Sequence, residues 1–168
     1  MSDSSETTHK FILDATAGFR MMWFNKNHPN CLYLDERPEC EPDIVTDFRD
    51  LSRFNDETFR LIVFDPPHYL DKWHNAEIKI NIDYGLLKAE TWQSDLKKCF
   101  LECFRVLKDY GVLLFKWNNH DVDYRQVLKC FPIKPLFGQQ VKTSKSKKHP
   151  CSTKWFCFMK IPEEKQND

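Results

Sequence analysis

The sequence predicts one α/β domain, with a mostly parallel central sheet, a C-terminal antiparallel hairpin and helices on both faces. Short apolar runs alternate along the chain with segments of helical period, which is the pattern of a parallel sheet. The run at residues 61–64 has four consecutive apolar side chains, as expected for a strand buried on both faces. A length of 168 residues suits a single domain with a proper core.

Five strands and three helical segments are predicted in order along the chain. The strands are expected at residues 10–13, 31–34, 42–45, 61–64 and 112–115. Helical segments are expected at residues 20–24, 91–107 and 124–131, the second because its apolar residues recur with a period near 3.6. Residues from 136 onward and residues 154–161 follow as the closing antiparallel pair. We expect residues 9–161 to form the domain, between a disordered tail at 1–8 and a second tail at 162–168.

Composition excludes several classes of protein. The chain is 41% hydrophobic, and its 25 basic residues balance its 25 acidic residues, so contact with a polyanion would need a local patch. The sequence contains no run of eighteen apolar residues, so it predicts no membrane span. The seven cysteines include no Cys-x-x-Cys pair, which predicts reduced thiols, no metal site and a cytoplasmic protein. Cys99 and Cys103, one helical turn apart, are expected in the core.

Four acidic residues fall at the predicted carboxyl ends of strands. Asp14, Asp35, Asp47 and Asp65 each follow an apolar run. In parallel sheets ligands bind beyond these ends, near the point where the strand order reverses. Any one of these residues is also an ordinary turn or cap former. Four together predict a ligand-binding rim.

The stiffest part of this rim is the corner Asp65-Pro66-Pro67-His68. The two prolines end the strand, because each holds φ at about −65° and lacks an N–H donor. The corner therefore presents a carboxylate, backbone carbonyls and the His68 ring, which suits a planar amine. The alternatives are a plain proline turn and a histidine that only caps the following segment.

The corner resembles the Asp-Pro-Pro-aromatic motif of amino-methyltransferases, which use S-adenosylmethionine (SAM) and have the Rossmann-like class I methyltransferase fold. In this chain that resemblance makes Asp65, Pro66, Pro67 and His68 the catalytic residues. Likeness to small stand-alone methyltransferases of bacteria and phages spans roughly residues 9–161. The stretches that carry it include residues 14–24, 65–68, 103–108 and 111–117.

The resemblance also implies which residues bind the cofactor, SAM. These are Asp14, Ala15, Thr16, Ala17, Gly18, Asp35, Asp47, Phe48 and Asp65. Asp35 would accept the ribose hydroxyls, while Asp47 would bond the adenine amine and Phe48 would cover the ring. The usual first motif is richer in glycine, whereas Gly18 stands alone here. A phosphate-binding nucleotide site is the alternative for this turn.

The target amine would donate both of its N–H groups in hydrogen bonds to Asp65 and the Pro66 carbonyl, which leaves its lone pair available. His68, Tyr69, Lys116 and Trp117 are the predicted substrate-binding residues, with rim packing as the alternative for Trp117. Residues 69–90 predict a lid or a short strand at 78–82. The lysine-rich residues 142–149 predict a phosphate contact or a solvated hairpin tip.

Three functions follow as hypotheses. The first is methylation of an exocyclic amine in nucleic acid, with adenine N6 in DNA or RNA as the target. The second is methylation of a protein amide or a small amine, and the third is a non-catalytic SAM-binding or nucleic-acid-binding subunit. The chain shows no segment large enough to be a target-recognition domain, so recognition is loose, is supplied by a partner protein, or concerns another substrate.

Overall fold

The computed structural model describes residues 10–73, 85–142 and 152–162. These residues form a seven-stranded sheet in the order β3-β2-β1-β4-β5-β7-β6. The strands are β1 (Ile12–Asp14), β2 (Cys31–Asp35), β3 (Ile44–Val45), β4 (Phe59–Phe64), β5 (Leu107–Asn118), β6 (Phe137–Lys142) and β7 (Ser152–Met159). The strands β1 to β5 pair in parallel, and β7 is antiparallel to both β5 and β6. The predicted α/β class, with its mostly parallel sheet and C-terminal antiparallel hairpin, is confirmed.

The two α-helices of the described residues lie where the sequence predicted them. Helix α1 spans Trp92–Val106, and helix α2 spans Tyr124–Cys130, with the Asp123 side chain accepting the Arg125 backbone N–H at its start. Both pack on the same face of the sheet, where the Phe100 ring stacks on Phe131 with centroids 4.2 Å apart. Among the described residues, α-helices therefore cover one face of the sheet, whereas the sequence predicts helices on both faces. Burial of each such ring stabilises the fold by about 1.5–3 kcal/mol. Cys99 and Cys103 lie in this core as free thiols, as predicted.

The helix predicted at residues 20–24 is wrong, because residues 15–30 form a succession of turns. Arg20 adopts a φ of 55° and anchors the segment. Its guanidinium donates to the Lys26 carbonyl at 2.9 Å, to Asn27 at 2.8 Å and to the Glu41 carbonyl at 2.7 Å. These bonds stabilise a turn in place of the helical hydrogen bonds. On the face of the sheet opposite α1 and α2, this segment packs over β1 and β2.

The strand order reverses between β1 and β4. The chain runs outward from β1 to β2 and β3, then returns to β4 on the other side of β1. The carboxyl ends of β1 and β4 are therefore neighbours, and two hydrogen bonds join them. The Ala15 N–H donates to the Val63 carbonyl at 3.0 Å, and the Asp65 N–H donates to Thr16 Oγ1 at 2.7 Å. The turn after β1 is thus fixed against the Asp65 corner.

Several predictions fall outside the described residues. These are the N-terminal tail at 1–8, the strand at 78–82, most of the C-terminal tail, and the lysine-rich segment beyond Lys142. Within the described ranges, no helix is both long enough and apolar enough to cross a membrane.

Candidate functional site

A cavity of about 290 Å³ opens at the carboxyl ends of the parallel strands, at the switch point between β1 and β4. Its lining includes nine of the predicted site residues: Ala15, Thr16, Ala17, Gly18, Asp35, Phe48, Asp65, Pro67 and Lys116. The sequence analysis missed the other lining residues, which are Phe19, Met21, Met22, Glu36, Arg37 and Gly85. The first three follow the β1 turn directly, so their position in the chain was the available signal.

Asp14 lies behind the cavity and is fully buried. Its carboxylate accepts hydrogen bonds from Trp23 Nε1 at 2.7 Å and from the Thr16 N–H at 3.2 Å. Burial raises the pKa of Asp14 to about 7, against the lowering effect of these two bonds, and the charges of Asp65 and Asp35 add to the rise. Asp14 therefore ends β1 as a buried acceptor for the turn that follows it.

A single glycine shapes that turn. Gly18 has a φ of 50°, which a residue with a side chain adopts only at a cost, and its N–H donates to Asp35 Oδ2 at 2.8 Å. A Cβ atom at this position would lie 3.4 Å from the Arg37 guanidinium. The turn reaches its close approach to β2 with one glycine, where the family motif commonly has more.

Asp35 is the last residue of β2, and its carboxylate accepts hydrogen bonds from Gly18 and Arg37. Oδ1 accepts from the Arg37 N–H at 3.0 Å and from Arg37 Nε at 2.8 Å. Oδ2 accepts from a second Arg37 nitrogen at 3.1 Å and from Gly18. The side chain of Asp35 is only 7% exposed. These four bonds use the acceptor positions that a carboxylate offers.

Glu36, the next residue, has a different environment. It is exposed, it lines the cavity, and no described residue makes a hydrogen bond or ion pair with its carboxylate. Partial burial raises its pKa, and the charges of Asp47 and Asp35 add to that effect. At this edge of the cavity, Glu36 is the carboxylate with acceptor capacity left for a ligand.

Asp47 and Phe48 are neighbours in the chain but have different environments. The carboxylate of Asp47 forms an ion pair with Arg49, whose hydrogen bonds hold the pKa of Asp47 below its usual range. Asp47 does not line the cavity, whereas Phe48 does and is 8% exposed. The apolar ring of Phe48 is therefore the part of this pair that faces a ligand.

Asp65 forms an ion pair across the rim with Lys116. Lys116 Nζ lies 2.7 Å from Asp65 Oδ2, and the two side chains are 27% and 18% exposed. Burial raises the pKa of Asp65, and the charge and hydrogen bond of Lys116 offset part of that rise. Among the described residues, none donates to Asp65 Oδ1. The pair leaves one carboxylate oxygen to accept from a ligand.

The remainder of the corner is rigid and partly covered. Pro66 is buried and Pro67 lines the cavity. Gly85, with a φ of 73°, lies so close that a Cβ there would be 3.2 Å from Pro67 Cγ. His68 is half-buried outside the lining, with its ring centroid 4.5 Å from that of Tyr69.

Trp117 requires a correction. Its side chain is fully buried, and the indole Nε1 donates to the Val122 carbonyl at 2.8 Å. The predicted contact of Trp117 with a substrate is wrong, because packing in the core leaves this side chain no exposed surface. Its ring lies edge-on behind His68 with centroids 6.3 Å apart, so it supports the corner from within.

Beside the corner lies a group that the sequence analysis did not identify. The Tyr69 ring is 5.0 Å from that of His120, whose Nδ1 lies 2.7 Å from Asp121 Oδ1. Asp121 Oδ2 also accepts the Leu70 N–H at 2.8 Å. His68, Tyr69 and His120 therefore form a row of rings that follows the corner, outside the lining of the cavity. Among the described residues, no group of three or more His, Cys, Asp or Glu side chains is arranged to hold a metal ion.

No protein-family model matches the sequence, and no curated protein matches it. Solved structures with similar folds include the following three. A SAM-dependent methyltransferase from Leishmania major has a TM-score of 0.56 at 14% identity, over 92% of this chain and 67% of that chain. The N-methyltransferase NodS from Bradyrhizobium japonicum WM9, in complex with S-adenosyl-L-homocysteine, has a TM-score of 0.55 at 15% identity, over 90% of this chain and 76% of that chain.

TrmN from Thermus thermophilus has a TM-score of 0.59 at 13% identity, over 91% of this chain. This chain spans less than half of TrmN, 44% of its length. At such identities the likeness concerns the fold. The strand order, the reversal between β1 and β4 and the antiparallel β7 give this chain the Rossmann-like fold of the class I methyltransferases.

Proposed function

We propose that this protein is a SAM-dependent methyltransferase that transfers a methyl group to an exocyclic amine, with adenine N6 in DNA or RNA as its target. One observation carries the proposal. Asp65 lines a cavity at the switch point of a class I methyltransferase fold and has one carboxylate oxygen without a described donor. Solved structures with this fold are named as methyltransferases, and one holds S-adenosyl-L-homocysteine.

The lining of the cavity fits SAM. A volume of about 290 Å³ is at the lower end of the range for small-molecule sites. The small side chains of residues 15–18 allow a ligand close to the backbone. Phe48 offers an apolar surface for a base, and Glu36 offers a carboxylate for hydroxyl groups. When bound there, SAM supplies an electrophilic methyl group, and its carbon–sulfur bond breaks as the new carbon–nitrogen bond forms.

The residues of the cofactor side divide into two roles. Glu36 accepts the ribose hydroxyls, because Asp35 already bonds Gly18 and Arg37. Asp35 holds the turn in the shape that the cofactor needs. Phe48 covers the adenine ring. The contact of Asp47 with the adenine amine stays a prediction, and for that contact the carboxylate would have to bind the amine in addition to Arg49.

Asp65 and the Pro66 carbonyl prepare the target nitrogen. An exocyclic amine on an aromatic ring is a weak nucleophile because its lone pair is delocalised. Asp65 Oδ1 accepts one N–H and the Pro66 carbonyl accepts the other, so the lone pair is directed away from the ring. After the carbon–nitrogen bond forms, the nitrogen carries one proton too many, and this proton passes through Asp65 Oδ1 to water. No covalent link to the protein is required.

A base in nucleic acid is the target that best fits the surroundings of the corner. His68 and Tyr69, which directly follow the two prolines of the corner, form ring surfaces on which a base can stack. A paired base would have to be flipped out to reach them. A partner protein that supplies target recognition completes the proposal.

Transfer of a labelled methyl group from SAM tests this function. The protein is incubated with labelled SAM and, in separate reactions, single-stranded DNA, RNA and a protein extract. We expect label in nucleic acid, recovered as N6-methyladenine after digestion. Label in protein, and none in nucleic acid, would show that the acceptor is a protein and would contradict the nucleic-acid target. Absence of transfer, together with no binding of SAM by calorimetry, would overturn the enzymatic proposal.

A further inference from the structure

The ion pair between Asp65 and Lys116 is built into the sheet. Phe64 and Phe115 are register partners in the parallel pair β4–β5, so the next residues on each strand, Asp65 and Lys116, lie side by side. Both side chains are largely withdrawn from water. The lysine also extends over Trp155, 5.8 Å from the ring centroid. Its position follows from backbone pairing and from packing on a ring.

This pair leaves the corner with no net charge of its own. The carboxylate of Asp65 contributes one negative charge, and the ammonium of Lys116 cancels it at 2.7 Å. Three further carboxylates lie near the same cavity. Burial raises the pKa of Asp14 to about 7, Asp35 is paired with Arg37, and Glu36 lies at the edge formed by residues 35–37. A ligand that enters beside Asp65 therefore meets a hydrogen-bond acceptor whose own charge is balanced by Lys116.

Neutral and cationic amines respond differently to such a site. A neutral aromatic amine needs only an acceptor for its N–H group. An alkylammonium loses far more hydration on entering a partly buried site, and an uncompensated carboxylate is needed to offset that loss. Here Lys116 already occupies the position that such a cation would take. Repulsion between two ammonium groups beside one carboxylate adds to the cost.

We infer that Lys116 is a positioning residue that restricts the acceptor to amines that are neutral at physiological pH, such as the amino groups of adenine and cytosine, and that excludes alkylammonium groups. The inference rests on the proposed function and names the residue that selects its class of acceptor. Lys116 acts through Asp65: it holds Oδ2, leaves Oδ1 as the acceptor, and keeps the carboxylate ionised against the effect of burial.

Two probes test this without cofactor and without turnover. 9-Methyladenine represents the neutral aromatic amine, and butylamine, which is an ammonium at about pH 8, represents the cation. Binding of each to the full chain is measured by NMR chemical-shift changes. The wild-type protein is expected to bind 9-methyladenine at least about tenfold more tightly than butylamine. Equal affinities, or tighter binding of butylamine, would overturn the inference without any variant.

Three variants locate the effect. Lys116→Met keeps the length of the side chain and removes its charge, Lys116→Arg keeps the charge, and Lys154→Met removes a lysine that lies over the Tyr124 ring instead. We expect Lys116→Met to reverse the preference toward butylamine, and Lys116→Arg and Lys154→Met to retain the wild-type order. An unchanged preference in Lys116→Met would contradict the role of Lys116.

Titration of the Asp65 carboxyl by carbon-13 NMR gives an independent readout. The pKa of Asp65 is expected to rise in Lys116→Met, because burial then acts without the offsetting lysine, and to stay near the wild-type value in Lys116→Arg. This shift would report that Lys116 keeps the Asp65 carboxylate ionised, and an unchanged pKa in Lys116→Met would contradict that part of the inference. Both measurements are independent of methyl transfer, so an inactive protein would refute the proposed function while the preference between probes still decides this inference.

Discussion

Two parts of the cavity rim use the same residue type in opposite ways. In the cofactor-side rim, residues 14–18 and 35–37, the carboxylates of Asp14 and Asp35 accept hydrogen bonds from nearby protein groups. Asp35 accepts four hydrogen bonds from Gly18 and Arg37. The acceptor-side rim, residues 65–69 with Lys116, holds Asp65 through Oδ2 alone. An aspartate at a strand end therefore has a structural or a ligand-binding role according to how many donors surround it.

The strongest way to break this comparison is to remove the acceptor-side carboxylate. For Asp65→Ala we expect turnover to fall by about a hundredfold or more, on the order of 3 kcal/mol of transition-state stabilisation. Binding of SAM should survive, because Glu36 and the β1 turn remain. Transfer of labelled methyl measures the first, and calorimetry the second. Asp56→Ala, which alters a carboxylate that is 73% exposed, is the matched control. Full activity of Asp65→Ala would refute its role.

Removal of the cofactor-side carboxylate should affect folding instead. In Asp35→Ala the Arg37 guanidinium and the Gly18 N–H lose their partner, and we expect the free energy of unfolding to fall by about 2–3 kcal/mol. Asp47→Ala breaks a pair whose side chains are 34% and 35% exposed, so its loss should stay below about 1 kcal/mol. Urea unfolding measures both. Equal losses would remove the distinction between the two aspartates.

The buried Asp14 predicts a dependence of stability on pH. Its pKa is about 7 in the folded state and 3.8 in the reference state, so the folded protein binds more protons between these values. Its contribution to stability is therefore present at low pH and is lost as pH rises through 7. Between pH 5 and 8 we expect the wild type to lose roughly 2 kcal/mol relative to Asp14→Asn. Parallel pH profiles of the two proteins in urea unfolding would contradict the raised pKa.

Glu36 sharpens the comparison within the cofactor-side rim. Glu36→Gln removes the charge of a carboxylate that has no described partner, so the free energy of unfolding should change by less than about 0.5 kcal/mol. Affinity for SAM should fall about tenfold, near 1.4 kcal/mol, because the hydroxyl groups lose a charged acceptor. Calorimetry measures the affinity. A loss of affinity in Asp35→Asn but none in Glu36→Gln would return the ribose contact to Asp35.

Local patterns predicted most of the sheet and helices correctly. Strand β4 ends at the prolines, and α1 follows the apolar period, because steric limits and side-chain spacing act over a few residues. The helix expected at 20–24 failed for a nonlocal reason: Arg20 bonds the Glu41 carbonyl, 21 residues away, and the resulting turn replaces the helix. Burial of Trp117 likewise depends on Val122 and on the core around it.

The sequence by itself determined that acidic residues lie at the ends of parallel strands and that a stiff Asp-Pro-Pro-His corner follows one of these strands. Each of these features depends only on residues that are neighbours in the chain. Only the tertiary structure decided which carboxylate is available. Asp35 is occupied by Arg37, two residues away, and by Gly18, 17 residues away, whereas Asp65 is paired with Lys116 from 51 residues away. A carboxylate accepts only a few hydrogen bonds, and the folded sheet decides whether distant donors such as Gly18 and Lys116 reach it.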